Sequence, residues 1–538
     1  MDEHDDSDRE DNSLLPRQPE SLEIEESSTW NGDPKQPPPK YRLIAVFIGA
    51  FFASADSSLL YVTQDRIARD FHNMAYAPLT VTSFNLGHCI ALPVYGALSD
   101  RYGCKTILLY AYLLFGVGCA LSGLTRSFPV FFLGRIIAGA GGAGMLDLFM
   151  VLVCEIYDAK SIAQLRGYVM ATGTLGRSCG GPLGGILTDH IGWRWSLAGQ
   201  TPVAITCTFF AWWLLPAGRR KLQETLQNQN EKPAVQSLDI PGIILFAVFM
   251  GSTVLVLDLG GHSLPWGHPV LLLLVLLGSL FGIAFAVNEK MRKEGQLIPP
   301  QLLMRSGLRS VFAVQALLCF ALLGITSSLA PYYGRVENLS ATSTAARLWI
   351  QTFGFAAGTL IGSHIVSRSQ RYRKLSIVAA LVSTTSNALM VVYWADGIDG
   401  VEIGYTMTAG FGAGILFATQ FQALIQKAPV AQRATATGVY YLCQQAGIIV
   451  GAAVMASVTQ ALFRWRLVSS PESPLVDGSS EHVDRILRDP RSVNGLPSGV
   501  QAVVRASYKE AFGYATVLPL ISILLVLAAV IAQREERV

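Results

Sequence analysis

What most constrains this chain is the recurrence of long apolar stretches. Fourteen segments of roughly 20 mostly apolar residues follow one another, at 42–63, 77–98, 106–125, 128–154, 165–190, 195–215, 239–258, 268–288, 309–332, 343–366, 375–395, 401–424, 435–462 and 514–532. A helix of that length crosses the hydrocarbon core of a bilayer. In lipid every backbone polar group must be satisfied within the protein, and runs this long do so as helices. The predicted fold class is therefore all-α, a membrane protein with 14 transmembrane helices. With 51% hydrophobic and 15% charged residues over 538 positions, the chain is too apolar to be a soluble protein of this size. The net charge of +3 says nothing about nucleic acid, and none is expected as a partner.

Residues 1–40 are polar, acidic and proline-rich, so they cannot bury a core and read as a disordered tail. They lack the basic start and short apolar run of a signal peptide. An even number of spans puts both termini on one side. Loops on that side carry Arg101 and Lys105; Arg219, Arg220 and Lys221; Lys290, Arg292 and Lys293; Arg368, Arg371, Arg373 and Lys374; Lys427 and Arg433. The opposite loops offer mainly Arg66, Arg69, Arg126, Arg194 and Arg335. The positive-inside rule then places both termini in the cytosol. On the other side lie the sequon at Asn338, a glycosylation candidate, and the long segment 463–513, where "RASYKEAFGYA" reads as a short amphipathic helix. The eight cysteines fall in apolar segments or, for Cys104, a short loop, so no disulfide framework is expected.

An ionisable group at mid-membrane costs at least ~2.5–3.5 kcal/mol on insertion scales, so it marks pairing or function. Spans 1–6 hold Asp56, His88, Arg135, Asp147, Glu155, Arg177 and Asp189. Glu155 and Asp189 sit at span ends, where snorkelling or capping explains them. Spans 9–14 offer mainly Arg347, His364, Gln420, Gln422, Gln444 and Gln445. Asp56, just past the midplane in "FFASADSSLLYV", has no basic neighbour in sequence and suits a group that loads and releases a proton. Opposite charges at similar depth predict a partly neutralised cavity, with Arg177 facing Asp147 or Asp56. The bland alternative is that Arg135 and Arg177 only pin helices together, and that His88 is structural.

Span 5 contains "GTLGRSCGGPLGG". Gly173, Gly176, Gly180 and Gly184 form one smooth stripe, which Gly181 and Gly185 widen. Small residues let membrane helices approach closely, and Pro182 removes a backbone hydrogen bond and bends the helix. The reading is a tightly apposed helix able to rock against its partner.

These residues resemble a known family. "GALSDRYGCKTILL" looks like the cytosolic signature between spans 2 and 3 of the major facilitator superfamily, and "FLGRIIAGAGGAG" like its span 4 motif. "GTLGRSCGGPLGG" resembles its antiporter motif, and "ADSSLLYVTQDRIARDF" and "GWRWSLAGQTP" resemble the fungal fourteen-span drug:proton antiporters, multidrug exporters and vacuolar basic amino acid transporters among them. The resemblance implies a major facilitator fold of two six-helix bundles, 41–215 and 309–532, joined by a linker at 216–308 carrying spans 7 and 8, with a cytosolic tail at 533–538. It implies a cytosolic gate at Gly96, Asp100, Arg101, Gly103 and Lys105, coupling through Arg135, and span 5 as a hinge-like interface with the second bundle. Cys104 stands where a basic residue is usual, and Asp65 where proline is.

The leading expectation is a proton antiporter exporting drugs, toxic metabolites or basic amino acids from the cytosol by alternating access. Asp56, Arg135, Asp147, Arg177 and His88 would couple proton and substrate. No cofactor is expected beyond the proton gradient, and no metal; without a GxxxxGK[ST] loop, nucleotide-driven pumping is disfavoured. An enzyme is not expected. The alternatives are a proton-coupled importer, such as a siderophore transporter, and a transport-dead nutrient sensor. Expected partners are the substrate, protons and the bilayer, with the chain acting as a monomer. In the tail, Glu10 precedes Leu14-Leu15 as in acidic dileucine signals, so a sorting adaptor and a vacuolar membrane are favoured narrowly over the plasma membrane.

Overall fold

The computed structural model describes residues 44–72, 76–156, 159–215, 239–260, 267–292, 296–339, 341–394, 398, 403–429, 432–469 and 498–533. Among them α1 (Ile44–Asp70), α2 (Tyr76–Tyr102) and α3 (Cys104–Leu124) lead to α4 (Phe128–Ala143). That helix passes through a π-helical turn, Gly144–Leu148, into α5 (Phe149–Ile156). The first bundle is completed by α6 (Ala159–Ile191), α7 (Trp193–Ala198) and α8 (Gln200–Leu214). A linker pair follows, α9 (Ile240–Leu259) and α10 (Pro269–Met291). After α11 (Pro300–Met304), the second bundle holds α12 (Ser306–Arg335), α13 (Ala341–Ser369), α14 (Arg373–Tyr393), α15 (Ile403–Lys427), α16 (Arg433–Ser469), α17 (Ser498–Ala515) and α18 (Val517–Ala532).

Among the described residues, ten helical segments are long and apolar enough to cross a membrane. The helices α2, α6 and α13, and the pair α7–α8 divided at Gly199, stand where spans are expected without joining those ten. Of these, α2, α6 and α13 trade large apolar side chains for glycine, hydroxyl and amide groups, which serve helix–helix contact rather than lipid, whereas α8 is apolar but only 15 residues long. The most apolar segment is the least enclosed: 11% of α10 is buried against 89% of α15. So α10 lies on the lipid side, and α15 runs through the protein.

Two reversals depend on glycine. Gly103, between α2 and α3, has φ of 86°, and Gly192, between α6 and α7, has φ of 83°. A side chain at either position would be strained. At the far end of the first bundle, Arg66 reaches Asp189 at 2.5 Å and Trp193 Nε1 donates to Asp70 at 2.8 Å. These polar turns carry α1 and α6 beyond their apolar runs.

The expected loop at 463–513 is shorter than its polar composition suggested. Helix α16 continues to Ser469, and α17 begins at Ser498 and packs back against α16. Phe463 and Tyr508 meet edge to face there, so burial of aromatics holds both ends helical. Residues 1–43, including Glu10, Leu14 and Leu15, lie outside the described residues.

The bundles meet along a seam at the end where α2 finishes and α6 and α16 begin. There α2 packs on α16, and α6 on α13. A Cβ added at Gly96 would sit 3.2 Å from Thr435 Cα, and one at Gly167 2.8 Å from Ser363 Cβ. The linker helix α9 packs on both α2 and α16, beside this seam.

Candidate functional site

Three helices of the first bundle converge on one carboxylate. Asp56 on α1 forms an ion pair with Arg135 Nη2 on α4, and Arg135 Nη1 lies 3.4 Å from Asp56 Oδ1. Gln200 Nε2 on α8 donates to the same oxygen at 2.8 Å. Arg135 also lies under the Phe84 ring, 4.9 Å from its centroid. Asp56 is 1% and Arg135 0% exposed. The carboxylate that looked unpaired in sequence therefore has two partners, both distant along the chain. Glycine makes this possible: α4 meets its neighbours backbone to backbone, at Gly134 against Ser122 and at Gly139 against Phe84.

Twelve residues on, the π-helical turn of the same span presents Asp147. Its Oδ2 lies 3.2 Å from His88 Nε2 on α2. Widened turns of this kind commonly mark functional positions, because the extra residue re-aims a side chain. The structure thus pairs Asp56 with Arg135 and Asp147 with His88. Arg177 forms an ion pair with neither Asp56 nor Asp147, contrary to expectation. The residue is exposed, yet it lies within electrostatic reach of Asp147, of Tyr61 on α1 and of Cys319 on α12. With neighbours in both bundles, it lines the cleft between them rather than facing lipid.

The glycine stripe of α6 faces α1. A side chain at Gly176 would strike Phe51, one at Gly180 would lie 2.7 Å from Ala55 Cα, and one at Gly184 would lie 2.6 Å from Leu59 Cγ. Gly181 and Gly185 stand clear, 3.5 and 3.7 Å from Val62. Ser58 Oγ donates to the Arg177 carbonyl at 2.7 Å, tying the two helices at the bend. The stripe is thus internal to the first bundle, and α6 meets the second bundle lower down, at Gly167. Apolar periodicity cannot distinguish these partners, because either would want a smooth face.

That lower contact holds a residue sequence reasoning missed. Arg166 on α6 is 1% exposed and stacks 3.8 Å from the Phe421 ring of α15. It donates to Tyr440 Oη of α16 at 3.5 Å. Tyr440 in turn donates to Gln315 Oε1 at 2.6 Å, and Gln315 Nε2 to Gln444 Oε1 at 3.0 Å. The expected span began at 165, which put Arg166 at a membrane edge. The helix begins at Ala159, two turns earlier, and carries Arg166 inside. An arginine directly before a glycine on a small-residue face was the available signal.

Of the expected gate, Gly96 lies in the seam, Gly103 makes the turn, and Lys105 donates to the Leu215 carbonyl at 2.5 Å. The side chains of Asp100, Arg101, Asp65 and Glu155 lie outside the described residues. Asn338 is exposed beyond α12 with φ of 53°, a left-handed turn that asparagine tolerates. Among the described residues no group of three His, Cys, Asp or Glu side chains is placed to hold a metal ion.

Comparison with known proteins bears on this arrangement. The family model described as Major Facilitator Superfamily matches residues 46–452. The chain is 25% identical over 468 residues to the vacuolar membrane amino acid uptake transporter fnx2 of Schizosaccharomyces pombe, covering 86% of this chain and 78% of that protein. It is 24% identical over 475 residues to the multidrug resistance protein fnx1 of the same yeast, covering 87% and 88%. Among solved structures it resembles the proton:xylose symporter XylE, with a TM-score of 0.55 at 13% identity over 89% of this chain and 94% of that one.

Proposed function

The chain belongs to the major facilitator superfamily and is a multi-pass membrane transporter, not an enzyme; from that premise we propose that it exports small organic solutes from the cytosol in exchange for protons. The observation that carries this reading is the Asp56–Arg135–Gln200 cluster, a carboxylate closed off from water and held by a guanidinium. A proton arriving on Asp56 cancels its charge and frees Arg135 from the ion pair. A buried guanidinium left alone is costly, so the three helices must rearrange to satisfy it. The π-helical turn on the same span lets that rearrangement reach Asp147 and His88 at the cleft. The proton gradient is the only energy source the reading requires.

The seam at Arg166, Gly96 and Gly167 closes one end of the cleft, the cytosolic end by the charge rule. The molecule is then in its outward- or lumen-facing state. Alternating access consists of parting this seam while the opposite ends of the bundles approach. The name of the relative fnx2 supports a vacuolar membrane, and the dileucine at Leu14 and Leu15 would supply the address through an adaptor. Asn338 would then face the lumen as a glycan acceptor.

The test is reconstitution in vesicles with an imposed pH gradient. Basic amino acids and lipophilic drugs are each presented, and solute accumulation is followed together with proton flux. Accumulation that collapses with a protonophore is expected. Equal accumulation with and without the gradient would reject proton exchange.

A further inference from the structure

The cleft displays a charge that the Asp56–Arg135 pair leaves unused. Arg177 lies 11 residues beyond Arg166 on α6, roughly 16 Å along the helix axis, so it stands well above the closed seam. Its carbonyl is anchored by Ser58, but its guanidinium makes no hydrogen bond and no ion pair with any described residue. One turn before Arg177, a side chain at Gly173 would lie 3.9 Å from Leu146, the neighbour of Asp147 in the π-helical turn, so the Asp147 carboxylate lies within electrostatic reach of the guanidinium. Asp147 is 8% exposed, engages His88 through Oδ2, and offers Oδ1 with no hydrogen-bond donor among the described residues. A guanidinium and a carboxylate therefore face one space, near enough to feel each other and too far apart to pair.

We propose that the cleft binds its substrate as a zwitterion, with an amino acid carboxylate held by Arg177 and its ammonium group held by Asp147. This rests on the reading of the cleft as the transport site. Arginine presents a planar fork that matches a carboxylate with two parallel hydrogen bonds. The α-ammonium group supplies the donor that Asp147 Oδ1 lacks. The same pair rejects simpler ions. A cation without a carboxylate leaves Arg177 unneutralised beside it, and an anion without an ammonium group meets Asp147. Selectivity then comes as much from repulsion as from attraction. Asp56 and Arg135 satisfy each other elsewhere, so they add no net charge to this choice.

The experiment compares lysine with cadaverine, which is lysine without its carboxylate, in vesicles carrying the intact protein. Lysine uptake should exceed cadaverine uptake by about tenfold or more, the worth of one charged hydrogen-bonded contact. Arg177→Ala removes a side chain that makes no hydrogen bond to a described residue, so it should fold normally, and it should bring lysine and cadaverine to the same rate. Arg177→Lys should restore part of the preference. Equal wild-type uptake of both solutes, or an Arg177→Ala protein that keeps the wild-type ratio, overturns the proposal. If lipophilic cations accumulate on a pH gradient and lysine does not, the zwitterion assignment fails while proton-driven export stands. If nothing in the panel moves on any gradient, the transport reading itself fails with it.

Discussion

The two bundles have similar helical frames and different interiors. The first encloses Asp56 against Arg135 and Asp147 against His88, and turns Arg177 towards the cleft. The interior of the second is built from neutral dipoles. Gln315, Tyr440 and Gln444 form one chain, Thr326 donates to Gln351 at 2.9 Å, Ser386 to Thr408 at 2.8 Å, and Gln533 to Gln420 at 3.0 Å. Its ion pairs, Arg347 with Glu337 and Arg466 with Glu510, sit towards the outer helix ends. Amides and hydroxyls exchange hydrogen-bond partners but take up no proton in the physiological range, whereas carboxylates and histidine are titratable groups. On the proposed exchange of solute for protons, this difference puts proton sensing in the first bundle and leaves the second as a surface against which it moves. Arg166 is where the two chemistries touch, a cation from the first bundle laid on the aromatics of the second.

The largest effect that would sharpen this contrast is expected at Arg135. Arg135→Ala leaves the Asp56 carboxylate buried without its cation, which costs about 3–5 kcal/mol. Purified protein should melt at a markedly lower temperature, and combining the change with Asp56→Asn should recover much of the loss. Simple additivity of the two changes would mean the pair is not coupled.

Next comes the helix contact inside the first bundle. Gly180→Ala places a methyl group against the backbone of α1 at Ala55, so alanine alone should stop transport. The adjacent Gly181→Ala meets only the Val62 side chain at 3.5 Å and should transport at the wild-type rate. Matching behaviour of the two variants would show that α6 does not ride on α1.

A smaller effect belongs to the second bundle. Tyr440→Phe leaves Gln315 Oε1 without its donor and weakens the Arg166 contact, a loss of about 1–3 kcal/mol. It should speed opening of the seam, read as faster amide hydrogen exchange around Gly96 and Thr435, and leave the number of protons moved per solute unchanged. A changed proton count would carry proton sensing into the second bundle.

Much of this was legible in the chain. Apolar runs locate helices because the bilayer demands them, and the glycines of α6 announce a close approach because nothing else explains their spacing. Partners were less legible. Asp56 and Arg135 are 79 residues apart, and Gln200 lies 144 from Asp56, so no local pattern joins them. The stripe on α6 specified a smooth face but not which helix would use it. Arg166 was hidden by boundary placement, since polar first turns extend a helix beyond its apolar run without any hydropathy signal.

The central claim is that Asp56 couples protons to transport without being needed for solute movement itself. The direct measurement compares two assays on reconstituted Asp56→Asn. One is exchange of labelled for unlabelled solute with no gradient, and the other is accumulation driven by a pH gradient. The account predicts that exchange persists near the wild-type rate while accumulation falls to the level of equilibration. Gradient-driven accumulation at the wild-type rate in Asp56→Asn would contradict it.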